Sequence, residues 1–222
     1  MPDLASLIDH TMLKPETTEA ELIKACEEAK KYNFATVCVR PNHISLVAKL
    51  LENSQVKPIT VISFPLGSDT SQAKALATKE AIFAGAKEID MVINIDALKS
   101  KNYKLVYNDI AEVVVAASPY TVKVIIEATN LTNDEKIAAC VLAKAAGAHF
   151  VKTSTGFGSG GATVEDVALM RRVVGKDMKV KASGGIRTKE DAEKMIAAGA
   201  DRIGASASVA VVTGKKENPS NY

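Results

Sequence analysis

The sequence predicts a single α/β domain closed into a (β/α)8 barrel, and three observations carry that expectation. Its 222 residues, 47% hydrophobic and 24% charged, suit one barrel of ordinary size. Short β-rich apolar runs alternate with helical patterns about eight times, the signature of a parallel sheet built from βα units. A quasi-repeat, Ala84-Gly85-Ala86, Ala146-Gly147-Ala148 and Ala198-Gly199-Ala200, ends a helix on glycine and leads into a strand each time.

The first strand is expected at Leu7 to Asp9. The helix after it opens on the capping pair Thr18/Glu21 and carries the apolar stripe Leu22, Ala25, Cys26 and Ala29, as a helix docked on a barrel wall should. Tyr32-Asn33-Phe34 ends that helix with Asn in place of Gly. Strands two to four are expected at Thr36 to Val39, Ile59 to Ser63 and Glu88 to Ile93. The fifth, Val122 to Glu127, reads as apolar without alternation through Val122-Lys123-Val124-Ile125-Ile126, which suits a strand covered on both faces. Strands six to eight follow at Phe150 to Lys152, Val180 to Ala182 and Arg202 to Gly204, with capping pairs Thr132/Glu135, Thr163/Asp166 and Thr188/Asp191 opening the helices around them. One catalytic domain thus spans 1–222, and residues 215–222 are expected as a flexible C-terminal tail.

The repeat also sets a register. The fifth residue after Asn33, Gly85, Gly147 and Gly199 is Cys38, Asp90, Lys152 and Gly204 respectively, at the C-terminal ends of strands two, four, six and eight. Alternate strands of a barrel fill one layer, and active sites lie at that face. These four positions are therefore expected to converge, unless a one-residue slip in any strand breaks the pattern.

Composition narrows the partners. A formal net charge of +2 with both signs interspersed gives no basic face for nucleic acid and no polybasic membrane segment. The three cysteines form no CxxC and the three histidines no HxxxH, so neither a disulfide nor a metal is expected. Asp3, Asp9 and His10 interrupt the opening and no apolar run reaches the roughly 18 residues of a membrane span. A cytoplasmic protein with reduced thiols, acting on small molecules or pairing with its own copies, is the expectation.

Lys152 and Lys181 each end an apolar strand, one βα unit apart, and are expected side by side at the barrel mouth. Each lysine alone could instead reach solvent or pair with a carboxylate such as Glu127. Two ammonium groups about 4 to 5 Å apart repel by about 3 to 4 kcal/mol at an effective dielectric near 20, enough to lower one pKa by about two to three units. Desolvation acts in the same direction. One lysine is then a nucleophile able to form a Schiff base, and the other its activator. Asp90, an acid inside an apolar run, is either a structural partner of a lysine or a proton shuttle. Glycine-rich stretches after strands six to eight, Thr155-Gly156-Phe157-Gly158-Ser159-Gly160-Gly161, Ser183-Gly184-Gly185 and Gly204-Ala205-Ser206, point to a phosphate site. No cofactor is required.

These motifs resemble those of the deoxyribose-phosphate aldolase family, class I Schiff-base aldolases on a TIM barrel. The likeness runs almost the whole chain and rests on Ile8-Asp9-His10-Thr11, Phe64-Pro65-Leu66-Gly67, Glu88-Ile89-Asp90-Met91-Val92, Lys152-Thr153-Ser154-Thr155-Gly156-Phe157 and Lys181-Ala182-Ser183-Gly184-Gly185-Ile186-Arg187. The resemblance implies reversible joining of acetaldehyde and D-glyceraldehyde 3-phosphate into 2-deoxyribose 5-phosphate, used in deoxynucleoside breakdown. It assigns the Schiff base to Lys152, pKa perturbation and proton transfer to Lys181, and a proton relay to Asp90. It places Gly156, Gly184, Gly185, Gly204 and Ser206 on the phosphate, and Asp9, Cys38 and Thr155 along the sugar. Tyr222 is either a C-terminal proton relay or part of a frayed tail, and homo-dimers or homo-tetramers are implied.

Several positions depart from the family pattern. Asp96 stands where small residues are usual, Ser63 and Ser208 where glycine is common, and Ala207 offers no hydroxyl. Cys38 is either plain packing or a thiol exposed to attack by reactive aldehydes. The competing readings are a Schiff-base aldolase for another aldehyde pair, a phosphate-binding isomerase or synthase, and a silent barrel that binds a phosphorylated metabolite.

Overall fold

The computed structural model describes residues 3–214, so the expected tail at 215–222 and Tyr222 lie outside the described residues. The elements run β1 (Ile8–Met12), α1 (Glu19–Tyr32), β2 (Thr36–Val39), α2 (Ile44–Leu50), β3 (Lys57–Ile62), α3 (Ser71–Phe83), β4 (Glu88–Val92), α4 (Ile95–Lys99), α5 (Tyr103–Ala117), β5 (Thr121–Ile125), α6 (Asn133–Ala145), β6 (Phe150–Lys152), α7 (Val164–Val174), β7 (Lys179–Ser183), α8 (Lys189–Ala197), β8 (Arg202–Ala205) and α9 (Ser208–Thr213). All strand pairings are parallel and follow sequence order. The ring closes where β8 meets β1, with Ile8 opposite Ile203 and Asp9 opposite Gly204.

All eight expected strands form, β2 and β6 with the expected bounds and the others with shifted ends. β1 extends past Asp9 because Thr11 and Met12 pair with Cys38 and Val39 of β2. β5 stops at Ile125, short of the expected Glu127, which takes a left-handed conformation with φ 51°. A neighbouring strand decides such ends, so local pattern misplaces them.

The caps account for the helix starts. Thr18, Thr132 and Thr188 each accept from the third helical amide while Glu21, Glu135 and Asp191 reach back, closing full capping boxes. Thr163 forms only half of the expected box. Its hydroxyl accepts from the Asp166 amide at 3.1 Å, but the Asp166 carboxylate turns to Lys136 Nζ at 2.5 Å. That ion pair ties α7 to α6.

Outside the barrel wall, Leu22, Val37, Val106, Ile110, Val122, Val151 and Val180 belong to one continuous apolar core between strands and helices. Within it, Lys74 of α3 lies 2.6 Å from Asp109 of α5 and donates to the Val92 carbonyl at 3.0 Å, tying down the end of β4. A separate apolar cluster of Leu13, Cys38, Ile59 and Val61, with Phe64 against it, lies on the side of β2 and β3. Much of the remaining barrel interior is charged, with Thr36 and the Phe150 ring among the ions, where branched apolar residues usually fill the space.

Candidate active site

Side chains alternate along a strand, so β4 turns both Glu88 and Asp90 inward. Neighbouring strands add Lys123 opposite Asp90, Lys152 opposite Lys181, and Arg202 opposite Lys181. Asp90 is the hub. Its Oδ2 accepts from Lys152 Nζ at 2.9 Å and Lys181 Nζ at 2.8 Å, and its Oδ1 from Lys123 Nζ at 2.8 Å. The two candidate lysines thus share one carboxylate oxygen, which holds their nitrogens within roughly 6 Å of each other. Lys181 Nζ also lies 2.5 Å from Asp9 Oδ2, while Asp9 Oδ1 accepts from Arg202 at 2.7 Å and Thr36 at 2.8 Å. Glu88 Oε2 is 2.6 Å from Lys123 Nζ and 3.4 Å from Arg202.

Three buried carboxylates therefore face Lys123, Lys152, Lys181 and the mostly buried Arg202, and Glu88 also meets the half-exposed Lys57. A buried charge needs a partner, so the amine with the fewest carboxylates is the one that burial most readily holds neutral. Lys181 and Arg202 each contact two carboxylates and Lys123 contacts three. Lys152 contacts only Asp90. Burial, joined by the charge of Lys181, holds the Lys152 ammonium below its usual range against the pull of Asp90. Burial would lower Lys181 too, but Asp9 and Asp90 outweigh it and raise its pKa. Burial also opposes ionisation of Asp90, yet Lys123, Lys152 and Lys181 keep it well below the carboxylate range. The sequence expectation set lysine repulsion beside desolvation acting in the same direction; here desolvation is the largest effect on Lys152, Asp90 opposes it, and Lys181 adds to the lowering.

Neither lysine pairs with Glu127. Its Oε2 accepts instead from the Thr155 hydroxyl at 2.5 Å and amide at 3.2 Å, and Thr155 Oγ1 accepts from the Phe157 amide at 3.1 Å. Thr155, expected along the sugar, spends its hydroxyl on ordering the loop after β6. Asp9, expected there as well, is fully buried against Lys181. Cys38 is fully buried against Leu13, Ile59 and Val61. Burial pushes its thiol up to about 11, which argues against attack by aldehydes.

The glycine-rich loops after β6 and β7 meet, with Gly156 and Gly161 packed against Gly184. Gly156, Gly184 and Gly185 adopt φ of 84°, 90° and 77°, open to glycine and strained for other residues. A Cβ on Gly161 would sit 2.2 Å from the Gly184 carbonyl oxygen, and the Ala162 amide donates to that oxygen at 3.0 Å. Gly156, Gly185 and Ser206 are exposed at the rim. Gly204, expected on the phosphate, is buried at the end of β8. It faces Lys181, where a Cβ would lie 3.0 Å from Cε, so its bareness makes room for the lysine. Ser208 turns its hydroxyl back to the Ala205 carbonyl at 2.8 Å. Across the mouth, Phe64 after β3 meets Phe157 after β6 edge to face at 5.3 Å.

Sequence reasoning missed Lys123, Glu88, Arg202 and Asp9's tie to Lys181. The signal was present: Lys123 interrupts an apolar run at one position, and Glu88 shares the face of Asp90 at a spacing of two. Among the described residues no group of three His, Cys, Asp or Glu is arranged to hold a metal ion, and no helix is long and apolar enough to cross a membrane.

Comparison with known proteins agrees with this geometry. Residues 4–216 match the DeoC/LacD family aldolase profile. A deoxyribose-phosphate aldolase of Clostridium perfringens strain SM101 is 60% identical over 213 residues, covering 96% of this chain and 95% of the relative. The enzyme of that name from Halalkalibacterium halodurans is 58% identical over 219 residues, covering 98% of both chains. The solved structure of a deoxyribose phosphate aldolase from Aeropyrum pernix, described as a tetramer, superposes with a TM-score of 0.89 at 35% identity, covering 95% of this chain and 90% of the other.

Proposed function

The chain belongs to the DeoC/LacD aldolase family, and from that premise we propose that it is a deoxyribose-phosphate aldolase whose Schiff base forms on Lys152. The single observation that carries the assignment is the uneven sharing of Asp9, Glu88 and Asp90 among the buried amines, which leaves Lys152 the one with the fewest carboxylate contacts. A neutral Lys152 amine adds to the aldehyde carbon of open-chain 2-deoxyribose 5-phosphate, and loss of water gives the protonated imine. Removal of the proton from the C3 hydroxyl breaks the C2–C3 bond, whose electrons flow into the iminium. Glyceraldehyde 3-phosphate departs and leaves an enamine, which takes a proton at C2 and is hydrolysed to acetaldehyde with return of the amine. Asp90 and Lys181, hydrogen-bonded to each other, hold the protons these steps move.

The loops around Gly156, Gly184, Gly185 and Ser206 would take the phosphate. The apolar wall of Leu13, Cys38, Ile59, Val61 and Phe64 favours a donor without hydroxyl groups, as acetaldehyde is. Assembly as a homo-dimer or homo-tetramer completes the proposal, supported by the tetrameric relative and by the apolar side chains exposed on α3, α5 and α6.

Incubation with acetaldehyde and sodium borohydride, followed by peptide mapping, tests the mechanism. The expected result is one reductive adduct per chain on Lys152, absent from Lys152→Ala. Folded protein that gains no adduct, or gains it on Lys181, overturns the assignment.

A further inference from the structure

The charged interior continues well beyond Asp90 toward the N-terminal end of the barrel. There Glu88, 2% exposed and the first residue of β4, faces Lys123 from β5, Arg202 from β8 and the half-exposed Lys57 from β3 at 3.3 Å. Arg202 in turn faces Asp9 from β1 and lies over the Phe150 ring of β6, which Lys179 of β7 also approaches. Lys152 faces Asp90, Lys181 and Cys38. The path from Glu88 to Lys152 thus runs through Lys123 and Asp90 by direct contacts.

We propose that Glu88 and Arg202, at the end of the barrel away from substrate, are positioning residues that set the proton occupancy of Lys152 by fixing how Asp9 and Asp90 are shared among the buried cations. This inference rests on the Schiff-base reading of Lys152. Three short contacts and one carboxylate span roughly 10 Å, and at that distance one unit charge moves a buried pKa by about one unit. Two effects of Glu88 act in the same direction. Its charge attracts a proton to Lys152 directly, and by holding Lys123 it leaves more of Asp90 to Lys152. Arg202 acts with the opposite sign, because it draws on Asp9 and Glu88.

The two residues should therefore move the protein's pH profile in opposite directions. The rate of imine formation with acetaldehyde under cyanoborohydride is followed against pH in the full-length protein. Glu88→Gln should shift the acidic limb to lower pH by about one unit, raising the rate on that limb about tenfold. Arg202→Met should shift it to higher pH by a similar amount, and the double variant should return it close to the parent position. Limbs that stay in place, or that both move in one direction, overturn the proposal, since lost packing has no reason to give opposite signs that cancel. If Glu88→Gln yields no folded protein, the direction of the Arg202→Met limb decides alone. Failure of the parent to trap acetaldehyde would instead refute the Schiff-base reading, and the two failures are distinct.

Discussion

Lys181 lies between Asp9 and Asp90, and its removal changes Lys152 in a direction that can be worked out. Lys152 has a lowered pKa, through burial first and the Lys181 charge second. In Lys181→Met that repulsion is gone and Asp90 has one fewer donor to serve, so both changes favour the Lys152 ammonium. The acidic limb of activity should move to higher pH, by about two units at an effective dielectric near 20. At pH 7 the lost proton donor and the smaller neutral fraction together should lower turnover by about a hundredfold or more. Rates of 2-deoxyribose 5-phosphate cleavage across pH measure this. An unmoved limb would mean that Lys181 has no electrostatic hold on Lys152.

At the scale of elements, the site depends on where β4 ends. Lys74 holds the Val92 carbonyl, and Gly67 of the loop after β3 packs onto Ile93. Gly67 has φ 72°, and a Cβ there would lie 1.9 Å from the Ile93 carbonyl oxygen. Gly67→Ala should therefore cost about 3 kcal/mol or more, combining left-handed strain with a clash against backbone that cannot rotate away. Gly214, with φ 68° and, among the described residues, nothing within 4 Å of where a Cβ would stand, isolates the first effect, and Gly214→Ala should cost only about 1 to 2 kcal/mol. Urea midpoints of the two variants give the comparison. Equal losses would show that the contact with Ile93 yields freely.

For the whole molecule, charge and apolar surface point to self-association. A net charge of +2 offers little long-range repulsion between copies. Leu76 and Phe83 of α3, Tyr103 and Val115 of α5, and Ile137 and Val141 of α6 are exposed on helices that pack side by side. Light scattering should give a mass of two or four times 23.5 kDa, and Phe83→Glu with Val141→Glu should lower it. A parent that runs at 23.5 kDa refutes the oligomer.

Much of this protein is determined by short-range signals that a sequence displays directly. Hydrophobic runs, capping threonines and glycine helix ends fix the eight βα units, because each depends on residues within a few positions of one another. The repeat through Asn33, Gly85, Gly147 and Gly199 also reaches Asp90 and Lys152, since helix end and strand entry hold a constant spacing. Strand ends such as Met12 and Ile125 depend on the neighbouring strand's register, and the half-formed box at Thr163 depends on Lys136 of another helix. Charge assignment inside the barrel is likewise tertiary. Lys123 looked like part of an apolar strand, and Glu127 looked available to a lysine. Only closure of the barrel, which brings Asp9, Glu88 and Asp90 against Lys123, Lys152, Lys181 and Arg202, decides which amine has the fewest carboxylate partners.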